Sequence, residues 1–510
     1  MIQSSQAFWD HLCEEMYPTW FLHSFGMNGK ISGHVAALGD MQGNILCVLH
    51  APVGCGFHYR NSARRRHSPY FQLLCSDLTE QEIIMGGEEK LEKIVRDAYV
   101  RFNPELIFII PSPITDILNE DILSVAAHLQ AEGIPVVAAK SERFSLPDKD
   151  YVHNLMHERG KLKVGEDNHL EIDVSGCGFN KAMCAVVERV MEDVPKKKNS
   201  VNIETISWGI EGTQILNEME DFLTRCGITV NCWIPNSSLE EIKQAPSASL
   251  NLVSHFIKWA RRMKALYGTD YLHMGERMRY DGLDGIACFY RDIAERLDLT
   301  DSIEPLIATE REKALAETAT EREFLASKKC VLVCRGMQEA PKQLNLYAKL
   351  FGLQISAVCV IWTADMRRFY YVDETLQKQL TQRLNDAVTL YSPETDIVVN
   401  PTDTVLRELV SGCDAIVGTD DFTLAGKGAP VIPASVNTMS FSFPSYVRSV
   451  KRLAERFSRA QEKKALILNR MGISSEDPNL FPNPSHNASR EMWLRLWWDY
   501  HDDEKKGCYK

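Results

Sequence analysis

Short β-branched apolar runs alternate with amphipathic stretches in three successive segments of the chain. Such runs, bounded by turn residues, fit buried strands, and the 3.6-residue periodicity between them fits helices. In the first segment, 44–50 (NILCVLH), 106–110 (LIFII) and 135–139 read as strands. Helices are predicted over 88–102, with Leu91, Ile94, Val95, Ala98 and Phe102 on one face, and over 114–130, stopped by Gly133. The stretch 141–175 is charged and Gly/Pro-punctuated, and reads as a surface excursion.

A lysine run, 196–198, reads as a solvated joint. The second segment predicts strands over 203–208 and 229–233, and helices over 213–226, 250–266 and 285–297. A charged helix over 302–326 leads to the third segment. Its predicted strands are 329–334, 354–361, 414–418 and 430–432, with a helix over 338–351. Beyond about Ala454 the pattern gives way to a charged tail in which Trp493, Trp497 and Trp498 suit an interface. Alternation of this kind implies parallel sheets flanked by helices, an α/β fold. The division expected is an extension over 1–30, domains over 31–199, 200–325 and 326–455, and a tail over 456–510.

Composition narrows the function. The apolar share is 45% and the charged share 25%, ordinary for a soluble globular chain. A formal net charge of −12 argues against nucleic acid as a partner. No apolar run is long enough to span a bilayer, and residues 1–20 lack a signal-peptide pattern, so a cytoplasmic location is expected. The 14 cysteines are too dispersed for a disulfide scaffold, which leaves packing or metal ligation. No GxxxxGK[ST] loop is present, so ATP would have to be bound by a partner. No GxGxxG in the right context indicates a dinucleotide.

The segment His50-Ala51-Pro52-Val53-Gly54-Cys55-Gly56 places a cysteine between two glycines at a strand-to-helix turn. Glycine lets backbone approach something large, and a helix N-terminus favours thiolate, the iron–sulfur ligand. The same residues also suit an ordinary Gly-rich turn with a buried cysteine. Next comes Cys75-Ser76-Asp77-Leu78-Thr79-Glu80, where Thr79 and Glu82 fit a capping box and Gly86-Gly87 a tight turn.

Together, HAPVGC, CSDLTEQEIIMGGEEKL and NEDI resemble component 1 of nitrogenase and its cofactor-assembly relatives. LNLV at 250–253 and Gly428-Ala429-Pro430 continue the likeness, which runs in order over roughly 31–454. The resemblance implies three Rossmann-like domains around a central cleft. It also implies a homologous partner subunit in an oxygen-sensitive heterotetramer, a bridging iron–sulfur cluster at the shared interface, and an ATP-dependent iron protein as electron donor. A second metal centre in the cleft is the further implication.

Carried over by position, Cys55 and Cys75 are the candidate cluster ligands, and Gly54, Gly56, Gly86 and Gly87 line the cluster's surroundings. Pro113 falls where a third cysteine is expected, which favours a [4Fe-4S] centre with its other ligands from a partner or symmetry mate. His255 stands in place of the cysteine that anchors the deep cofactor, and Ser435 in place of the histidine at its other end. Dinitrogen is therefore not the expected substrate. His255 suits a metal ligand, a proton donor or a core histidine. A reductase and a scaffold for cofactor assembly both fit these residues, as does a metal-free structural partner.

Several other groups have two readings. Arg64-Arg65-Arg66-His67 suits an acidic docking face or plain solvation, and His58 and Tyr59 suit hydrogen bonds to a cluster or packing. Cys330 and Cys334 read as core, and Cys177 as packing rather than ligation.

Overall fold

The computed structural model describes residues 30–57, 72–139, 161–164, 170–173, 178–205, 209–253, 257–274, 277–369, 372–419, 422–432 and 441–460. Arg64–His67, His58, Tyr59, Cys177, His255, Ser435 and the tryptophan-bearing tail lie outside them. The strands of the first segment are β1 (Ile45–Leu49), β2 (Gln72–Cys75), β3 (Leu106–Ile110) and β4 (Val136–Ala138), in the parallel order β2-β1-β3-β4. β1 and β3 are buried along their whole length, which is why their sequences carry no polar alternation. A two-stranded antiparallel hairpin, β5 (Lys161–Val164) and β6 (Leu170–Asp173), lies within the charged excursion.

The second sheet holds β7 (Ser200–Glu204), β8 (Thr229–Ile234), β9 (Leu250–Val253) and β10 (Asp270–His273), ordered β10-β9-β7-β8. The third holds β11 (Lys329–Arg335), β12 (Gln354–Ile361), β13 (Asp396–Val399) and β14 (Ala415–Val417), ordered β13-β12-β11-β14. The expected α/β architecture is thus three four-stranded parallel sheets with flanking helices.

In the first sheet the chain steps from β1 to β2 on one side and then to β3 on the other. The order reverses between β1 and β3, so a crevice opens beyond their carboxyl ends. By the same argument the second sheet reverses between β7 and β9, and the third between β11 and β14. The Cys55 turn follows β1, and position 255 follows β9 by two residues.

Several expectations shift. The predicted helix 114–130 is two helices, Pro113–Ile117 and Ile122–Ala131. Between them Asn119 takes φ +56°, and the Asp121 side chain accepts the Ser124 amide to start the second helix. Residues 250–253 form β9 rather than a helix, and the helix begins at Lys258. The charged helix divides at Thr318 into Thr300–Glu317 and Ala319–Ala326. Residues 338–351 hold a short α-helix, Ala340–Leu344, that widens into a π-helix over Asn345–Leu350. Residues 430–432 contribute one isolated bridge, Val431 to Ile416, instead of a strand. Phe102 leaves the apolar face of its helix and is 39% exposed.

The lysine joint is not simply solvated. Lys196 Nζ donates to the Pro246 and Ala248 carbonyls at 2.6 and 3.3 Å, and Lys197 Nζ donates to Asn231 Oδ1 at 2.9 Å. A helix over Phe443–Ser458 continues the regular pattern past 454. Its Phe443 meets Phe222 and Tyr290 of the second segment at ring distances of 5.8 and 6.3 Å, in the apolar core that also holds β11 and β12. Helix Lys258–Tyr267 likewise buries Trp259 and Met263 in the core of the first segment, with Phe179 and Met183. No helix among the described residues is long and apolar enough to cross a membrane.

Candidate functional site

Parallel pairing sets the geometry. Leu49 of β1 lies opposite Cys75 of β2 and Ile110 of β3, so the three strands end level with one another. His50 then follows β1, Ser76 follows β2, and Pro111-Ser112 follow β3. Backbone bonds tie these ends together. The His50 amide donates to Ile110 O, the Ser76 amide to Leu49 O, and the Leu78 amide to Ala51 O, at 2.9, 2.9 and 3.1 Å. Residues 53–57 form one short helical turn that carries Cys55.

Cys55 is half-buried at the rim of this crevice. A Cβ added at Gly54 would meet nothing within 4 Å, so space opens beside it. Burial pushes the Cys55 thiol up, which overrides the downward pull expected from a helix N-terminus; a single turn offers little dipole. Cys75 is buried, and its Sγ donates to Ala51 O at 3.2 Å. Burial, chiefly, holds that thiol at about 11. Ligation by Cys75 therefore requires loss of this hydrogen bond along with the proton.

Both candidate thiols thus belong to one crevice, Cys55 at the rim and Cys75 beneath the turn. Among the described residues no group of three His, Cys, Asp or Glu side chains is placed to hold a metal. The stretch at Pro113 supplies no further ligand. Pro113 opens its helix, and Ser112, 1% exposed, spends its hydroxyl as the N-cap, accepting the Thr115 amide. The described part of this site suits a share in a cluster, and the remaining ligands must come from elsewhere.

Exposed apolar side chains flank Cys55 on its own turn and also mark the helix that follows β2. Val53 and Phe57 are 62% and 73% exposed, and Ile84 and Met85, on the helix Glu80–Met85 that follows β2, are each 79% exposed. Exposed large apolar groups gathered beside a functional residue mark a contact surface. The capping box of that helix forms as expected, with the Thr79 amide donating to Glu82 Oε2 at 2.8 Å.

Beneath the rim lies a polar network that the sequence did not disclose. His50 is wholly buried and Glu120 is 7% exposed. His50 Nδ1 lies 2.9 Å from Ser76 Oγ, and its Nε2 lies against Glu120 Oε2. The Gly87 amide donates to Glu120 Oε1 at 2.7 Å. Burial alone would raise the Glu120 carboxyl, but the bonds from His50 and Gly87 outweigh it and hold it below its usual value. The Gly-Gly turn divides its roles accordingly. Gly86 takes φ +100° in open space, whereas Gly87 packs on the network, where an added Cβ would sit 2.6 Å from Leu78 Cδ2 and 3.0 Å from Glu120 Oε1.

At the second crevice, β7 ends in Glu204, whose carboxylate is fully buried and accepts Trp259 Nε1–H at 3.0 Å. Cys330 and Cys334 are core residues of β11, as expected from their apolar run. A separate polar cleft runs along β10, but there Arg279 is paired with Asp292, and Lys264 and Arg296 with Asp270.

Comparison with known proteins returns the family and a likeness of fold. The model of the nitrogenase component 1 type oxidoreductase family matches residues 31–157 and 173–456, and the chain belongs to that family. The chain is 27% identical over 281 residues to the nitrogenase molybdenum-iron protein alpha chain of Clostridium pasteurianum, covering 52% of this chain and 46% of that one. It is 22% identical over 391 residues to the nitrogenase iron-molybdenum cofactor biosynthesis protein NifE of the same organism, covering 73% of each. The match to the alpha chain therefore spans about half of that relative's length. Among solved structures, nitrogenase Cp1 at pH 6.5 superposes with a TM-score of 0.52 at 18% identity, over 84% of this chain and 89% of that one, a likeness of fold.

Proposed function

We propose that this chain is the catalytic subunit of a nitrogenase-like reductase that shares an iron–sulfur cluster with a homologous partner subunit. The observation that carries the reading is the half-buried Cys55 at the first switch point, with Val53 and Phe57 of its own turn exposed and Ile84 and Met85 exposed on the helix that follows β2. When bound, the cluster supplies one-electron transfer at low potential. Cys55 contributes a thiolate from the rim, and Cys75 a second once its bond to Ala51 O is released. These exposed apolar side chains would exclude water where the partner seats. An ATP-dependent iron protein provides the electrons, since this sequence has no phosphate loop of its own.

The substrate or second metal centre is assigned to the crevice beyond β7 and β9, with His255 as its acid or ligand. Dinitrogen is an unsuitable substrate, because His255 and Ser435 replace the two residue types that hold the nitrogenase cofactor in the resemblance drawn from the sequence. A second reading, a scaffold for cofactor assembly, is favoured by the match to the biosynthesis protein, which runs over 73% of both chains.

The test is anaerobic purification with the native partner, followed by iron, acid-labile sulfide and electron paramagnetic resonance. About four irons per cluster-bearing pair, lost in Cys55→Ala while the pair stays soluble, is the expected result. Unchanged iron in that variant sinks the ligand assignment. Passage of labelled iron to an acceptor apoprotein, without turnover, selects the scaffold.

A further inference from the structure

Four chain segments meet under the Cys55 turn, and one carboxylate joins them. His50 lies at the end of β1, five residues before Cys55, and Ser76 at the end of β2. Gly87 opens the helix Glu88–Phe102, and Glu120 sits in the break between helices Pro113–Ile117 and Ile122–Ala131. That break is built: Asn119 takes φ +56°, and the Asp121 amide donates to Glu88 Oε1 at 2.8 Å. The result points Glu120 inward. Meanwhile the Ala51 amide donates to Ser76 Oγ at 3.0 Å, and the Cys55 amide donates to Pro52 O at 3.1 Å. The turn that carries Cys55 is therefore anchored at its base by Ser76, and Ser76 in turn by His50 and Glu120.

We propose that the buried His50–Glu120 pair is a positioning device that holds the Cys55 thiol at the rim in register with Cys75. This deepens the cluster reading above and rests on it for its purpose, but its physical content concerns the metal-free chain. A buried polar pair whose partners come from distant segments can fix an arrangement without adding much stability. Here the arrangement specified is the relative placement of three strand ends, which neither β1 nor β3 can set alone. Glu120 is the one side chain that bonds both to the β1 end, through His50, and to the Gly87 amide. A plain packing role for the pair would leave the thiol's environment untouched.

The experiment compares Glu120→Ala, Glu120→Gln and Ser76→Ala in metal-free full-length protein. The rate at which Cys55 is alkylated is read by peptide mass spectrometry, with the half-buried Cys413 of the third segment as internal reference. A half-buried thiol reacts mainly through local opening, so a loosened turn reacts faster. Glu120→Ala is expected to speed Cys55 about tenfold, the response to a 1.4 kcal/mol change in opening free energy. Glu120→Gln keeps an acceptor for the Gly87 amide and is expected to restore most of the wild-type rate. Iron-loaded Glu120→Ala should also show a shifted paramagnetic spectrum. Wild-type alkylation rates in all three variants would overturn the proposal. If Glu120→Ala does not fold, Ser76→Ala decides, with a rise in Cys55 reactivity for the proposal and no change against it. If the wild type binds no iron, the cluster reading fails and the alkylation rates still judge the positioning role.

Discussion

Replacing Asp403 by Asn should loosen the joint between helix Asp403–Val410 and the turn 422–427. Asp403 is the first residue of helix Asp403–Val410, and its carboxylate receives two cations. Lys427, whose side chain has no exposure, pairs with Oδ1, and Arg407 Nε donates to Oδ2 at 2.9 Å. Arg407 Nη1 also donates to Gly426 O at 3.2 Å, so the helix and the turn 422–427 are bound through one carboxylate. Removing one partner of a buried pair costs about 3–5 kcal/mol, because the other charge is left desolvated. The Asp403 side chain is 26% exposed, which places the loss toward the lower end, about 3 kcal/mol.

A chain of this size does not unfold in one step, so a global midpoint is the wrong assay. Native-state hydrogen exchange of the helix amides, such as Leu406 bonded to Thr402 O at 2.9 Å, reads the local opening directly. Protection should fall about 160-fold, which is 3 kcal/mol at 1.36 kcal/mol per decade. Lys427→Met in the same background should return part of it, because the stranded charge is gone. The pH dependence has a definite sign. Burial raises the Asp403 carboxyl, the bonds from Lys427 and Arg407 more than reverse this, and its folded value lies below the ordinary one. The pair's contribution is then present above the unfolded value of about 3.9 and lost as pH falls through the folded value, so the two proteins should converge in acid. Protection in Asp403→Asn within about twofold of wild type at neutral pH would refute the argument.

Gly87→Ala places a Cβ 2.6 Å from Leu78 Cδ2 at an ordinary φ of −109°, so its cost is overpacking, about 1–3 kcal/mol; unchanged exchange protection of the Leu91 amide, bonded to Gly87 O at 3.0 Å, would contradict it. Trp259→Phe removes the donor to the buried Glu204 carboxylate and leaves a smaller ring in a fully buried site, a loss of about 2–4 kcal/mol read by native-state hydrogen exchange of helix Lys258–Tyr267. A change below about 0.5 kcal/mol would mean that Glu204 is satisfied without the indole.

Much of the frame was legible in local pattern. β3 and β12 fall on their apolar runs, residue for residue, because strands buried on both faces leave an unbroken apolar signal. Helix Glu88–Phe102 falls on its 3.6-residue stripe, and the Thr79–Glu82 box forms where the spacing placed it. The turn that carries Cys55 was legible too, since a cysteine between glycines after a strand declares its own turn. Chain order, not any single motif, carried the family.

Other features had no local signal. β2 and β13 are four-residue edge strands whose burial alternates or is partial, too short for a period to show. The break at Asn119 interrupts an apolar pattern that would suit one continuous helix; Asn119 and the Asp121 cap permit it, and the structure shows that it turns Glu120 toward His50. His50 and Glu120 stand 70 positions apart, Asp403 and Lys427 24, and Glu204 and Trp259 55. Local periodicity reports which face of an element is apolar. Which buried charge answers which other is decided when strand order and register bring distant ends level, and that is a property of the packed sheets alone.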